Sequence, residues 1–70
     1  MSDQIKAPIT GNVKWTAGTG AQVAAGDPVV VVEVRGREAP AVAPRAGTVE
    51  EIRVRVGEPV QEGDVVAVLA

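Results

Sequence analysis

The sequence predicts a single all-β domain, a flattened barrel or sandwich built from two small antiparallel sheets, and three observations carry that prediction. Hydrophobic residues make up 46% of the 70-residue chain and are almost all valine and alanine. Valine's branched Cβ suits a pleated surface and crowds a helix. Prolines at 8, 28, 40, 44 and 59 interrupt every long helical candidate. The chain also repeats itself once, and two similar half-chains of about four short strands each can close on each other and leave few edges exposed.

The chain is read as one domain over residues 1–70, with half-repeats at about 5–34 and 41–69 and a central hairpin at 33–38. Seventy residues lie near the lower limit for a core without staples. With no cysteine, that core has to come from aliphatic burial. The opening Met1-Ser2-Asp3-Gln4 lacks a basic stretch followed by an apolar one, and no apolar run approaches the ~20 residues a membrane span needs. The expected setting is the cytoplasm, with no membrane partner. Seven Lys/Arg against nine Asp/Glu, a net charge of −2, argue against a nucleic-acid partner.

In the first half, Ala7-Pro8-Ile9-Thr10-Gly11-Asn12-Val13 is matched 36 residues later by Ala43-Pro44-Arg45-Ala46-Gly47-Thr48-Val49. The segment from Gly20 through Gly26-Asp27 to Val29 is matched 37 residues later by the segment from Gly57 through Gly63-Asp64 to Val66. One residue is therefore missing from the first half. The two Gly-Asp pairs read as turns, glycine tolerating positive φ and aspartate bonding back to the local backbone. Gly18-Thr19-Gly20 has no helix after it that would make it a phosphate loop. Trp15, the only aromatic residue, is expected to fill the core of a chain otherwise short of large side chains. The other reading of Trp15 is an exposed anchor for a partner.

Val29 to Val32 is a continuous apolar run, followed by Glu33-Val34, and fits a strand buried on both faces. Glu33-Val34-Arg35-Gly36-Arg37-Glu38 then forms the hairpin that crosses between the halves, with Gly36 supplying the left-handed conformation of a two-residue turn. In the second half, Ile52, Val54 and Val56 alternate with Arg53 and Arg55, the period of a strand with one wet face.

An enzyme is not expected. The chain has no His, Cys or Tyr, and Ser2 is its only serine. Glu50 and Glu51 should point to opposite faces of a strand unless a bulge intervenes. Carboxylates alone make a poor metal site, so no metal is expected.

The doubled Gly-x-Val and Gly-x-x-Val-x-x-Gly-Asp pattern, with Ala43-Pro44 entering the second half, resembles the biotinyl/lipoyl attachment domain family over nearly the whole chain. It is most similar to the small biotinyl carriers and the carboxyl carrier domains of biotin-dependent carboxylases. The resemblance implies a barrel-sandwich hybrid with quasi-twofold symmetry, whose central hairpin displays a lysine that a ligase joins to biotin or lipoate. In biotinyl members the hairpin typically reads Glu-Ala-Met-Lys-Met, with the lysine eight residues before the proline of Ala-Pro. Here that count from Pro44 lands on Gly36, Glu33 falls where the family's glutamate does, and arginines 35 and 37 stand in place of the methionines. Arginine cannot serve as acceptor, because its guanidinium stays protonated and delocalised.

The expectation is therefore a carrier-like module without prosthetic group or catalytic residues, docking as an accessory subunit onto a protein partner in a larger assembly of the acyl-CoA or carboxylase type. Glu33, Arg35, Gly36 and Arg37 are the candidate contacts, since guanidinium forks bind carboxylates and phosphates bidentately. The plainer reading of the two arginines is solubility, with Glu33 and Glu38 pairing with them across the strands. Two alternative functions remain: a working biotin or lipoyl carrier modified at Lys6 or Lys14, and a small-molecule-binding regulatory domain.

Overall fold

The computed structural model describes residues 2–70, and every regular element in them is a strand. In order these are β1 (Asp3–Lys6), β2 (Gly11–Thr16), β3 (Gln22–Val23), β4 (Pro28–Val34), β5 (Arg37–Val42), β6 (Gly47–Ile52), β7 (Pro59–Val60) and β8 (Val65–Leu69). They form two antiparallel four-stranded sheets, ordered β1-β8-β6-β3 and β5-β4-β2-β7. Exchanging β1 with β5, β2 with β6, β3 with β7 and β4 with β8 turns one order into the other, so the architecture is a barrel-sandwich hybrid with quasi-twofold symmetry. Each half contributes strands to both sheets, and the β4–β5 hairpin joins the halves.

The hydrogen bonds outside the ladders obey the same symmetry. Gly26 N–H donates to Ala43 O (2.8 Å) as Gly63 N–H does to Ala7 O (2.9 Å). Ala17 N–H donates to Val29 O (2.7 Å) as Arg53 N–H does to Val66 O (2.9 Å). Ala21 N–H reaches Gly18 O (3.1 Å) as Glu58 N–H reaches Arg55 O (3.0 Å). Ala17 thus corresponds to Arg53 and Gly18 to Arg55, which makes Val54 the residue without a counterpart. In the Gly-Asp turns, Asp27 Oδ2 accepts from Ala24 N–H and Asp64 Oδ2 from Gln61 N–H, both at 2.9 Å. Gly26 and Gly63 take φ of 86° and 91°, the region the turn reading required.

The core is wholly aliphatic. Val29, Val30, Val32, Val66, Ala67 and Leu69 are fully excluded from solvent, with Ile5, Val13, Ala41, Val49 and Val60 packed around them. No polar or charged side chain is buried among the described residues. Bulges adjust the run of valines: the β4–β5 register shifts between Pro28 and Val30, so Val29 and Val30 both face inward, and Val31 alone takes the other side.

Two expectations need correction. The Ile52–Val56 alternation is not one strand, because β6 ends at Ile52 and residues 53–58 form a loop into the Gly57 turn. Its packing is split, with Val54 buried and Val56 65% exposed. Trp15 is not a core residue but 46% exposed. The β2–β4 register shifts between Val13 and Trp15, and the extra residue in β2 turns Lys14 and Trp15 both to solvent. The equivalent shift between Val49 and Glu51 in β6 exposes Glu50 and Glu51 together. A bulge does therefore put those two carboxylates on one surface. There Glu51 accepts from Arg53 Nε (2.9 Å) and Glu50 from the Ser2 hydroxyl (3.3 Å).

Candidate functional site

The β4–β5 hairpin is closed by a two-residue turn, Val34 standing opposite Arg37 and Glu33 opposite Glu38. Both central residues have positive φ, Arg35 at 51° and Gly36 at 78°, the signature of a type I′ turn whose twist matches that of its strands. Gly36 is where such a turn wants glycine, and a Cβ built on it would meet nothing within 4 Å. Arg35 is the only non-glycine residue with positive φ among those described. An L-residue pays about 1–2 kcal/mol for that conformation, while asparagine tolerates it.

Replacing Arg35 with Asn is therefore expected to raise stability by up to ~1 kcal/mol, or about 4–8 °C in Tm for a domain this small. Thermal denaturation followed by circular dichroism reads the change. An unchanged or lower midpoint would mean that Arg35 makes a compensating contact.

Directly below the apex, Lys14 on β2 spans the facing glutamates of the hairpin. Its Nζ donates to Glu38 Oε2 and, at 3.2 Å, to Glu33 Oε2. Glu33 and Glu38 are thus taken by Lys14, not by Arg35 and Arg37 as the cross-strand reading expected. Neither arginine side chain has a hydrogen-bond or ion-pair partner among the described residues; with Val34, both line a shallow hollow at the tip. The sequence reading missed the role of Lys14. The facing pair Glu33/Glu38 was its signal, since like charges opposite each other in a sheet call for a cation between them.

The hydrogen bonds from Lys14 to Glu38 and then Glu33, reinforced by their charges, raise the lysine above its ordinary 10.5. A raised cationic group stabilises the fold fully below that ordinary value and loses its contribution as pH climbs through the folded-state value. The lysine's own titration therefore leaves the contact intact at neutral pH and removes it only in the alkaline range above its ordinary 10.5. Lys14→Met is expected to lower Tm by leaving Glu33 and Glu38 to repel each other. The deficit should shrink as salt screens the exposed pair, and a deficit independent of salt would refute this account.

Lys6 lies on β1, in the other sheet, exposed and two strands from β6. It lines a shallow surface hollow with Ser2, Asp3, Gln4, Glu50, Glu51, Arg53 and Val68. The apex thus gathers Arg35, Gly36 and Arg37 above Glu33, Glu38 and Lys14, and Lys6 stands apart from it. No helix among the described residues is long and apolar enough to cross a membrane.

Known proteins share this architecture. Over 71 aligned residues the chain is 34% identical to the "Biotinylated protein TB7.3 homolog" of Mycobacterium leprae, covering 100% of both chains. It superposes on part of the Kluyveromyces lactis urea carboxylase with a TM-score of 0.91 and 32% identity, covering 100% of this chain. The match to a single-chain, multi-domain long-chain acyl-CoA carboxylase has a TM-score of 0.89 and 31% identity over 96% of this chain. An aspartoacylase family protein of Mesorhizobium loti gives 0.82 and 30% over 96%. The chain spans only 6%, 7% and 24% of those three structures. The family pattern for biotin and lipoyl domains, described as "Biotin-requiring enzyme", matches residues 1–69, and on that match the chain belongs to the biotin/lipoyl attachment family.

Proposed function

We propose that this chain is a carrier-type domain without an acceptor, Gly36 standing at the acceptor position, and that it works unmodified as an accessory subunit docking onto a larger enzyme of the carboxylase or acyl-CoA type. The observation that carries the reading is the composition of the hairpin apex. Its two central residues are Arg35 and Gly36, and neither offers an amine that could lose a proton and attack an activated acyl group. Lys14, the lysine nearest the tip, is held by two carboxylates that keep it protonated. Lys6 sits on the other sheet.

The residues present at the apex do not fit a covalently carried cofactor. Two similarities support an assembly as the setting: matching domains are small parts of a urea carboxylase and an acyl-CoA carboxylase. The relative named as biotinylated is similar along its whole length, which makes the glycine at position 36 the feature to test. A type I′ turn with arginine in place of asparagine gives up stability at its most exposed point, as expected where contact outweighs stability.

The test is intact mass spectrometry after coexpression with a biotin ligase and, separately, a lipoate ligase. An unchanged mass is expected with both. A gain matching either group, located by peptide mapping to Lys6 or Lys14, would replace this reading with that of a working carrier.

A further inference from the structure

The quasi-twofold symmetry supplies an internal control for the surface around Trp15. Residue by residue, Trp15 corresponds to Glu51, Val31 to Val68, Pro40 to Gln4 and Val42 to Lys6. Both halves carry the same bulge and expose the same two consecutive positions. The fold therefore accepts a glutamate where the first half has an indole, and no packing demand explains Trp15.

On the outer face of β2-β4-β5, Trp15, Val31 and Pro40 lie in one cross-strand row. Val42, 44% exposed and opposite Pro28, extends the row into an apolar patch. The equivalent row on β6-β8-β1 is Glu51, Val68, Gln4 and Lys6. Pro40 lacks an N–H on the edge strand β5 and discourages strand-to-strand addition, which leaves contact through side chains on the face.

Charge indicates what the face meets. Toward the apex, the next row is Lys14 with Glu33 and Glu38, already paired among themselves. Beyond it the turn carries Arg35, whose side chain has no partner among the described residues, while Arg37, opposite Val34, falls on the other face of the hairpin. The apex lies four residues along β4 from Val31, about 13 Å at strand rise.

We propose that the outer face of β5-β4-β2 is a docking surface for a different protein, one that offers an apolar pocket for the Trp15 indole and, about 13 Å away at strand rise, a carboxylate for Arg35. Indole and guanidinium are the side chains that most often anchor protein interfaces. This inference deepens the accessory-subunit reading and rests on it, but its readout is independent of mass: a biotinylated chain would sink that reading, whereas a featureless Trp15 face would sink this one.

The experiment places a photo-crosslinking amino acid at Val42 or, as the symmetry-matched control, at Lys6, in the full chain expressed in its native cells. A discrete adduct with another protein is expected from position 42 and not from position 6. Equal yields, no adduct at 42, or an adduct of twice the chain's own mass would overturn the proposal, the last pointing to self-association. The cross-linked protein, once purified, is titrated into the wild-type chain, whose emission comes from Trp15 alone among its own residues. A saturable blue shift is expected. In a competition assay, Trp15→Glu, which copies the second half, should weaken binding at least tenfold while Tm stays unchanged. Arg35→Ala should weaken binding and flatten its salt dependence. Wild-type affinity in the Trp15→Glu variant, or a salt dependence untouched by loss of Arg35, would refute the proposal.

Discussion

Replacing Leu69 with alanine is expected to remove about half the stability of the fold. Leu69 is the largest of the fully buried side chains, lying on β8, which pairs with β1 at Asp3 and with β6 at Val49. It therefore joins the first and last strands and fills the core they share with β6. A buried Leu→Ala change costs about 2–5 kcal/mol, part of it for the cavity left behind. A domain of this length has about 4–10 kcal/mol in total at ~0.05–0.15 kcal/mol per residue. The loss thus reaches about half the stability, and at about 4–8 °C per kcal/mol the midpoint should fall by some 10–30 °C. No disulfide is present to limit the damage. Urea titration and thermal denaturation, each followed by far-ultraviolet circular dichroism, give the two values. Val56→Ala, at a site 65% exposed, serves as the control and should stay within about 0.5 kcal/mol. A Leu69→Ala loss no larger than that of the control would mean that β8 does not hold the centre of its sheet.

The fold could be read because its strongest local signals occur twice. Gly26-Asp27 and Gly63-Asp64 each fix a turn by the same pair of bonds, a glycine N–H to the opposite half's Ala-Pro alanine and an aspartate oxygen to a nearby N–H. Once both turns are placed, the half-repeats must face each other, and the hairpin at 33–38 has to join them. Trp15 was misread for a physical reason. The shortage of large side chains argued for an indole in the core, but the valines fill that core themselves, and a bulge of one residue turns Trp15 to solvent without any local mark such as glycine or proline. The repeat itself held the correction: Trp15 aligns with Glu51, and a glutamate in that place needs water. A similar blind spot covered the salt bridges. The sequence pairs Glu33 and Glu38 with the nearest cations along the chain, Arg35 and Arg37, whereas the β2–β4 pairing brings Lys14 across from 19 residues away.

Restoring a family-type tip, by Arg35→Met, Gly36→Lys and Arg37→Met together, is expected to give a chain labelled to near completion by a biotin ligase that leaves the wild type unlabelled. The backbone should admit the lysine. The apex is open, with nothing within 4 Å of a Cβ at residue 36, and the charge is easily hydrated there. Positive φ at residue 36 (78°) adds strain of about 1–2 kcal/mol for an L-residue, tolerable beside the stability estimated above. Unlike Lys14, which lies between two carboxylates, the new amine would extend past Glu33 and Glu38 into solvent, where its ordinary deprotonated fraction is available to attack. Gly36→Lys alone separates the amine from its surroundings. Labelling of this single variant would mean that the arginines do not hinder a ligase, and labelling of the triple variant alone would assign recognition to the flanking residues. The informative failure is a triple variant that folds, by its circular dichroism and melting temperature, and stays unlabelled. In that case residue 36 is not the acceptor position, and modification at Lys6 or Lys14 becomes the expectation.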